Sequence, residues 1–92
     1  MPGPDPSLEA KARRTVEAVW RIESPRLLGA LVRMLRDVDV AEELAQEALL
    51  AALEHWPRAG VPDNPGAWLM TTAKRRGIDR LRQHALHRER EA

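Results

Sequence analysis

Two rows of side chains carry whatever chemistry this chain performs. The first is acidic: Glu43, Gln46, Glu47, Leu50 and Glu54 recur at helical spacing and share one face. The second is basic: Trp68, Thr72, Arg75, Asp79 and Arg82 fall near one stripe, flanked by Lys74 and Arg76. Carboxylates ringing an apolar Leu50 look like a contact surface for a partner protein, although most acidic helix faces are simply solvated. Arg and Lys on a helix neutralise phosphates, each contact steepening the salt dependence of binding by roughly 0.9 in log–log slope. A Trp at the head of such a row stacks on an unpaired base, worth about 1–3 kcal/mol. The plainer alternative is a basic surface helix with Trp68 packed into the core.

Catalysis is rejected as a reading. His84 and His87 stand at i, i+3 and His55 stands alone, with no Cys and no carboxylate cluster beside them, so surface histidines are expected and no metal or cofactor is. No Gly-rich phosphate loop, nucleophile motif or HExxH is present. The absence of Cys fits a reducing, cytoplasmic setting. The start, Met1-Pro2-Gly3-Pro4-Asp5-Pro6, is neither a signal peptide nor an anchor. No stretch approaches the ~20 apolar residues of a membrane span, so no membrane insertion is expected.

The formal net charge of +1 over 92 residues conceals a strong division. Between residues 37 and 54 all six charges are acidic. Between residues 74 and 91 seven basic residues face three acidic ones, a net +4. Each half implies a different kind of partner.

The elements that must position these rows read as helices throughout, without period-2 alternation. The length suits one small domain, and the pattern predicts an all-α, compact bundle of about four helices. Ser7 caps a first helix carrying Leu8, Ala12, Val16, Val19 and Trp20. Ser24-Pro25 breaks it and opens a second, with Leu28, Leu31, Val32 and Leu35 along one side. Asp39, with Glu42 three residues on, begins a third. Its inner face is Ala41, Leu44, Ala45, Ala48, Leu49, Ala52, Leu53 and Trp56, and Pro57 ends it. The segment 57–64 is a loop holding Gly60, Pro62 and Asp63. Asn64-Pro65 starts a fourth helix that runs to about Gln83, with Leu69, Ala73, Ile78 and Leu81 facing inward. Gly77 costs about 1 kcal/mol relative to Ala and suits close helix packing. The expected organisation is a disordered tail over 1–7, a helical domain over 8–83 and a charged tail or linker over 84–92.

At this point the chain resembles a known family. Residues 39–53, and above all Glu43-Leu44-Ala45-Gln46-Glu47, look like region 2.2 of bacterial RNA polymerase sigma factors. Asn64-Pro65-Gly66-Ala67-Trp68-Leu69, followed by Ala73 and by Ile78-Asp79-Arg80-Leu81-Arg82, resembles regions 2.3 and 2.4. The short acidic helix and Pro-containing loop look most like the extracytoplasmic-function (ECF) group. The resemblance covers roughly residues 16–83, and it rests on the two motifs occurring in this order at this spacing.

The resemblance implies a domain that binds core polymerase and then recognises and melts the promoter −10 element. Glu43, Gln46 and Glu47, with Leu50, would meet the clamp helices of the β′ subunit. Thr72 and Arg75 match positions at the upstream duplex edge of the −10 element, and Trp68 matches the first aromatic of the melting wedge. The loop with Arg58, Asp63 and Asn64 matches the segment that cradles a flipped base. Lys74, Arg76 and Arg82 complete the basic surface. An anti-sigma factor is a further partner that the resemblance admits. Two departures stand out: Leu49 replaces a usual Phe, which alters packing, and Arg75 replaces a common Asn, which puts base preference there in question. The family's second domain, which reads the −35 element, is absent from these residues, so an isolated domain is expected. The rival readings are a helix-turn-helix regulator of duplex DNA, disfavoured by the length of the loop, and a structural interaction domain.

Overall fold

The alanine-rich helix at the centre of the chain organises the rest. Ala41, Leu44, Ala45, Ala48, Ala51, Ala52 and Trp56 are all buried along one helix, α2 (Val38–Ala59). Five of these seven are alanines, so neighbouring helices approach this face closely. The structure, a computed structural model, describes the backbone of residues 6–91 and the side chains of 8–90. Over that range it has three helices, α1 (Pro6–Leu35), α2 and α3 (Pro65–Glu91), and no strand. α1 and α2 share the largest interface, α3 lies on α2, and α1 touches α3 least. No helix among the described residues is long and apolar enough to cross a membrane.

The all-α expectation holds, with three helices where about four were expected. α1 continues through Ser24-Pro25 for 30 residues. Pro25 removes the hydrogen bond its N–H would have given to the carbonyl of Arg21. Its ring lies on the exposed side of the helix. On the inner side Val16, Leu27 and Leu31 are almost fully buried on both flanks of the proline. Burial of side chains that size contributes roughly 1.5–3 kcal/mol each, enough to outweigh one lost bond. Local propensity predicted a break; tertiary packing overrides it.

The connections differ from expectation in similar ways. Asp37, not Asp39, caps α2: its Oδ1 accepts the Val40 N–H at 3.1 Å from an extended backbone (φ −145°, ψ 109°). Arg36 adopts φ 54° and donates its N–H to the Val32 carbonyl at 2.7 Å, so a left-handed residue turns α1 sharply into α2. Pro57 lies inside α2 rather than ending it. The helix closes at Gly60 (φ 92°), whose N–H reaches the Trp56 carbonyl at 2.8 Å, and the connection to α3 shrinks to residues 60–64. With that shortening, loop length no longer argues strongly against the helix-turn-helix reading. Asn64 caps α3 as expected, accepting from the Ala67 N–H at 3.1 Å.

α3 runs antiparallel to α2, placing Trp68 opposite Trp56 and Gly77 opposite Leu44. A Cβ at Gly77 would lie 3.2 Å from Leu44 Cδ1, so the glycine permits the close approach that its position suggested. Ile78 and Leu81, expected inside, are 48% and 67% exposed, and past Arg80 the helix outruns its support. Leu8, at the other end of α1, is likewise 65% exposed. Leu27 and Ala51 are buried in their place. The helix also continues past Gln83 to Glu91 with every side chain from Leu81 to Arg90 exposed. Of the expected N-terminal tail, residues 1–5 lie outside the described residues, while residues 6 and 7 belong to α1.

Three substitutions test this fold by urea denaturation. Leu44→Ala should cost about 2–5 kcal/mol, while Leu81→Ala should stay within about 0.5 kcal/mol, the reverse of equal inward-facing roles. Arg36→Gly should raise stability by about 0.5–1 kcal/mol by removing the left-handed penalty.

Candidate functional site

The expected acidic row faces solvent on α2, as a docking surface requires. Glu43, Gln46 and Leu50 are exposed and Glu47 is half-buried. Glu43, Gln46 and Glu47 line a groove of about 1010 Å³ between α2 and α1, together with Asp39 and Glu42. Its apolar wall is Trp20, Pro25 and Leu28 from α1. Leu50, 62% exposed, lies outside the groove. The combination of four carboxylates and an apolar wall suits a basic partner with some apolar surface.

One member of this groove was not foreseen. Arg80 reaches back from α3 and donates to Glu43 Oε2 at 2.6 Å and to Glu47 Oε1. The Glu43 hydrogen bond raises the Arg80 pKa, partial burial opposes it, and Glu47 adds to the rise. Arg80 is therefore a permanent cation set against the acidic row. The antiparallel register that puts Gly77 against Leu44 carries Arg80, one turn on, to Glu43, the neighbour of Leu44. The Glu43/Glu47 spacing was visible in the sequence, but the register was not.

A second groove, about 770 Å³, lies between the end of α2, the connecting loop and the first half of α3. Five of the expected nucleic-acid residues line it: Asp63, Trp68, Thr72, Arg75 and Arg76. Asp79 joins them, with His55 and Trp56 from α2. Trp68 is half-buried and meets both of these edge-on, Trp56 at 5.3 Å and 66° and His55 at 6.2 Å and 62° between ring centroids and planes. It thus belongs partly to the core and partly to the groove. The Trp56 Nε1–H is buried without a hydrogen-bond partner among the described residues. The Thr72 hydroxyl donates to the Trp68 carbonyl at 2.9 Å, leaving its oxygen to accept from a ligand.

The remaining expected residues lie elsewhere. Arg58 stands in the last turn of α2 and faces a different groove with Glu54 and Arg13. Asn64 is engaged as the cap of α3. Lys74 and Arg82 are exposed on α3 but away from the aromatic groove. His55 and Trp56 were missed as groove members. Their signal was an aromatic pair at the end of one helix facing Trp68 at the start of the next.

The domain is thus all-α, with an acidic groove on one side of α2 and an aromatic, arginine-edged groove at its far end. Residues 19–87 match the family model described as Sigma-70 region 2, and the chain belongs to that family. An ECF RNA polymerase sigma factor SigK of Mycobacterium sp. (strain KMS) is 35% identical over 95 residues, covering 96% of this chain and 48% of the relative. SigK of Mycobacterium ulcerans (strain Agy99) is 39% identical over 71 residues, covering 73% of this chain and 36% of that protein. An uncharacterized protein of Rhizobium meliloti (strain 1021) is 46% identical over 61 residues, 66% of this chain and 14% of the relative. The chain thus spans less than half the length of these curated relatives. No solved structure matches. The family match does not favour the helix-turn-helix alternative.

The two grooves differ in what holds them, and denaturation separates the contributions. Arg80→Ala should lower stability by no more than about 1 kcal/mol, because its partners are substantially solvated. Trp68→Ala should cost about 1–3 kcal/mol through loss of its two edge contacts.

Proposed function

We propose that this chain is the promoter-melting domain of an ECF sigma factor, docking core RNA polymerase through α2 and holding opened −10 DNA on α3. The observation that carries the reading is that α2 borders two different grooves, a carboxylate-rich one shared with α1 and one shared with α3 that sets Arg75 and Arg76 beside Trp68. Glu43, Gln46 and Glu47, with Leu50 beside them, meet the clamp helices of the β′ subunit. Their groove is open and acidic, and its apolar wall excludes water from part of the contact.

The second groove receives the melted strand. Arg75 and Arg76 neutralise its phosphates, with Lys74 and Arg82 extending the basic surface along α3. Trp68, half-buried in the groove wall, offers its indole where a base leaves the stack. Extruding a base costs a few kcal/mol, and stacking returns about 1–3 kcal/mol per base. The groove bounded by the 60–64 loop, Asp63 and Trp68 supplies the walls and hydrogen-bonding groups that make up the balance. Arg58 and Asn64 contribute less: the first points elsewhere and the second is spent on the helix cap.

Two measurements test the reading. Glu43→Lys/Glu47→Lys should abolish capture of core polymerase while leaving the helical circular dichroism intact; normal capture would refute the docking role. Arg75→Ala/Arg76→Ala should weaken binding to non-template single-stranded −10 DNA and reduce the salt slope by about 1.4, at roughly 0.7 per single-strand phosphate contact. An unchanged slope removes these residues from the contact, and preference for the closed duplex would favour a duplex-reading regulator instead.

A further inference from the structure

Arg80 is set apart from the arginines around it. Arg75, Arg76 and Arg82 are exposed, whereas the Arg80 guanidinium turns back across the helix pair onto α2. It joins the two acidic members of the Glu43-Leu44-Ala45-Gln46-Glu47 motif, one nitrogen to each carboxylate. Those carboxylates stand one turn apart on the same face, where like charges repel. Left alone, each Glu side chain would sample several rotamers and the pair would splay. A planar guanidinium has fixed donor directions, so it holds both carboxylates in one orientation. Arg80 takes one oxygen of each carboxylate and does not occupy the other.

We propose that Arg80 is a positioning residue for polymerase docking: the nucleic-acid helix holds the two acidic side chains of the docking helix as a preset pair. This rests on the docking role proposed above for Glu43 and Glu47. The partner then meets an ordered acidic edge, and less side-chain freedom is lost on association. An opposing effect exists, because Arg80 also brings a positive charge to a surface that must attract a basic partner. That effect is the smaller one. The Glu43 side chain is 62% exposed and its charge is well screened. Asp39 and Glu42, in the same groove, keep the edge acidic overall.

The test is a mutant cycle on binding of the full chain to core polymerase. Arg80→Ala should weaken binding by about threefold to tenfold, the scale expected for freeing one or two long side chains. In a Glu43→Gln/Glu47→Gln background, the same change should have little further effect, since no charged pair remains to be held. Arg80→Lys, a point charge without the fork, should fall between wild type and Arg80→Ala. Single-stranded DNA affinity of the isolated chain and its salt slope should be unchanged in all three. Equal or tighter polymerase binding by Arg80→Ala overturns the proposal, as does an equal loss in the Gln background, which would mean direct contact with the partner. A changed DNA salt slope would reassign Arg80 to phosphate. If Glu43→Lys/Glu47→Lys still binds polymerase, the docking role falls and this one with it. If that variant loses binding while Arg80→Ala retains it, only the Arg80 role falls.

Discussion

Burial of the alanine face of α2 is the constraint on which the other features depend. Alanine gives little apolar area per residue, so α2 earns its stability by letting α1 and α3 come close rather than by interlocking large side chains. Gly77 against Leu44 is one such close approach. Once the inner face is committed, helix geometry assigns the outward positions to Glu43, Gln46 and Leu50. The acidic groove is thus a consequence of the core, seen from its other side.

The same packing explains why two grooves of opposite character lie so near each other. α2 is shared: its first half borders the acidic groove with α1, and its last turns border the aromatic groove with α3 and the loop. Arg80 ties α3 to the acidic groove, a basic-helix residue spent on the acidic helix. Trp68 plays a comparable double part at the other end of α3. One edge of it packs on Trp56 and His55, so the groove wall is anchored in the core.

Where local signals and the fold disagreed, the disagreements share a cause. Pro25 and Pro57 each predicted a helix end, and each sits within a helix. A proline removes one hydrogen bond, a local cost that the burial of residues on either side outweighs. Ile78, Leu81 and Leu8 had the right spacing to face inward, but they stay 48%, 67% and 65% exposed. Periodicity tells which side of a helix is apolar, and it does not tell how far along the helix a partner extends.

The all-helical class, the inner face of α2, the cap at Asn64 and the two rows of opposite charge were legible in the residues themselves. Each of these depends on spacing along one helix or on a turn of a few residues, and such short-range geometry is set by the backbone alone. The register between helices was decided only by the tertiary structure. It put Arg80 onto Glu43 and Glu47, drew His55 and Trp56 into the groove beside Trp68, and left Arg58, Lys74 and Arg82 outside it. Those placements follow from how closely two helices approach and where their ends fall, which depends on side chains far apart in the chain meeting at once.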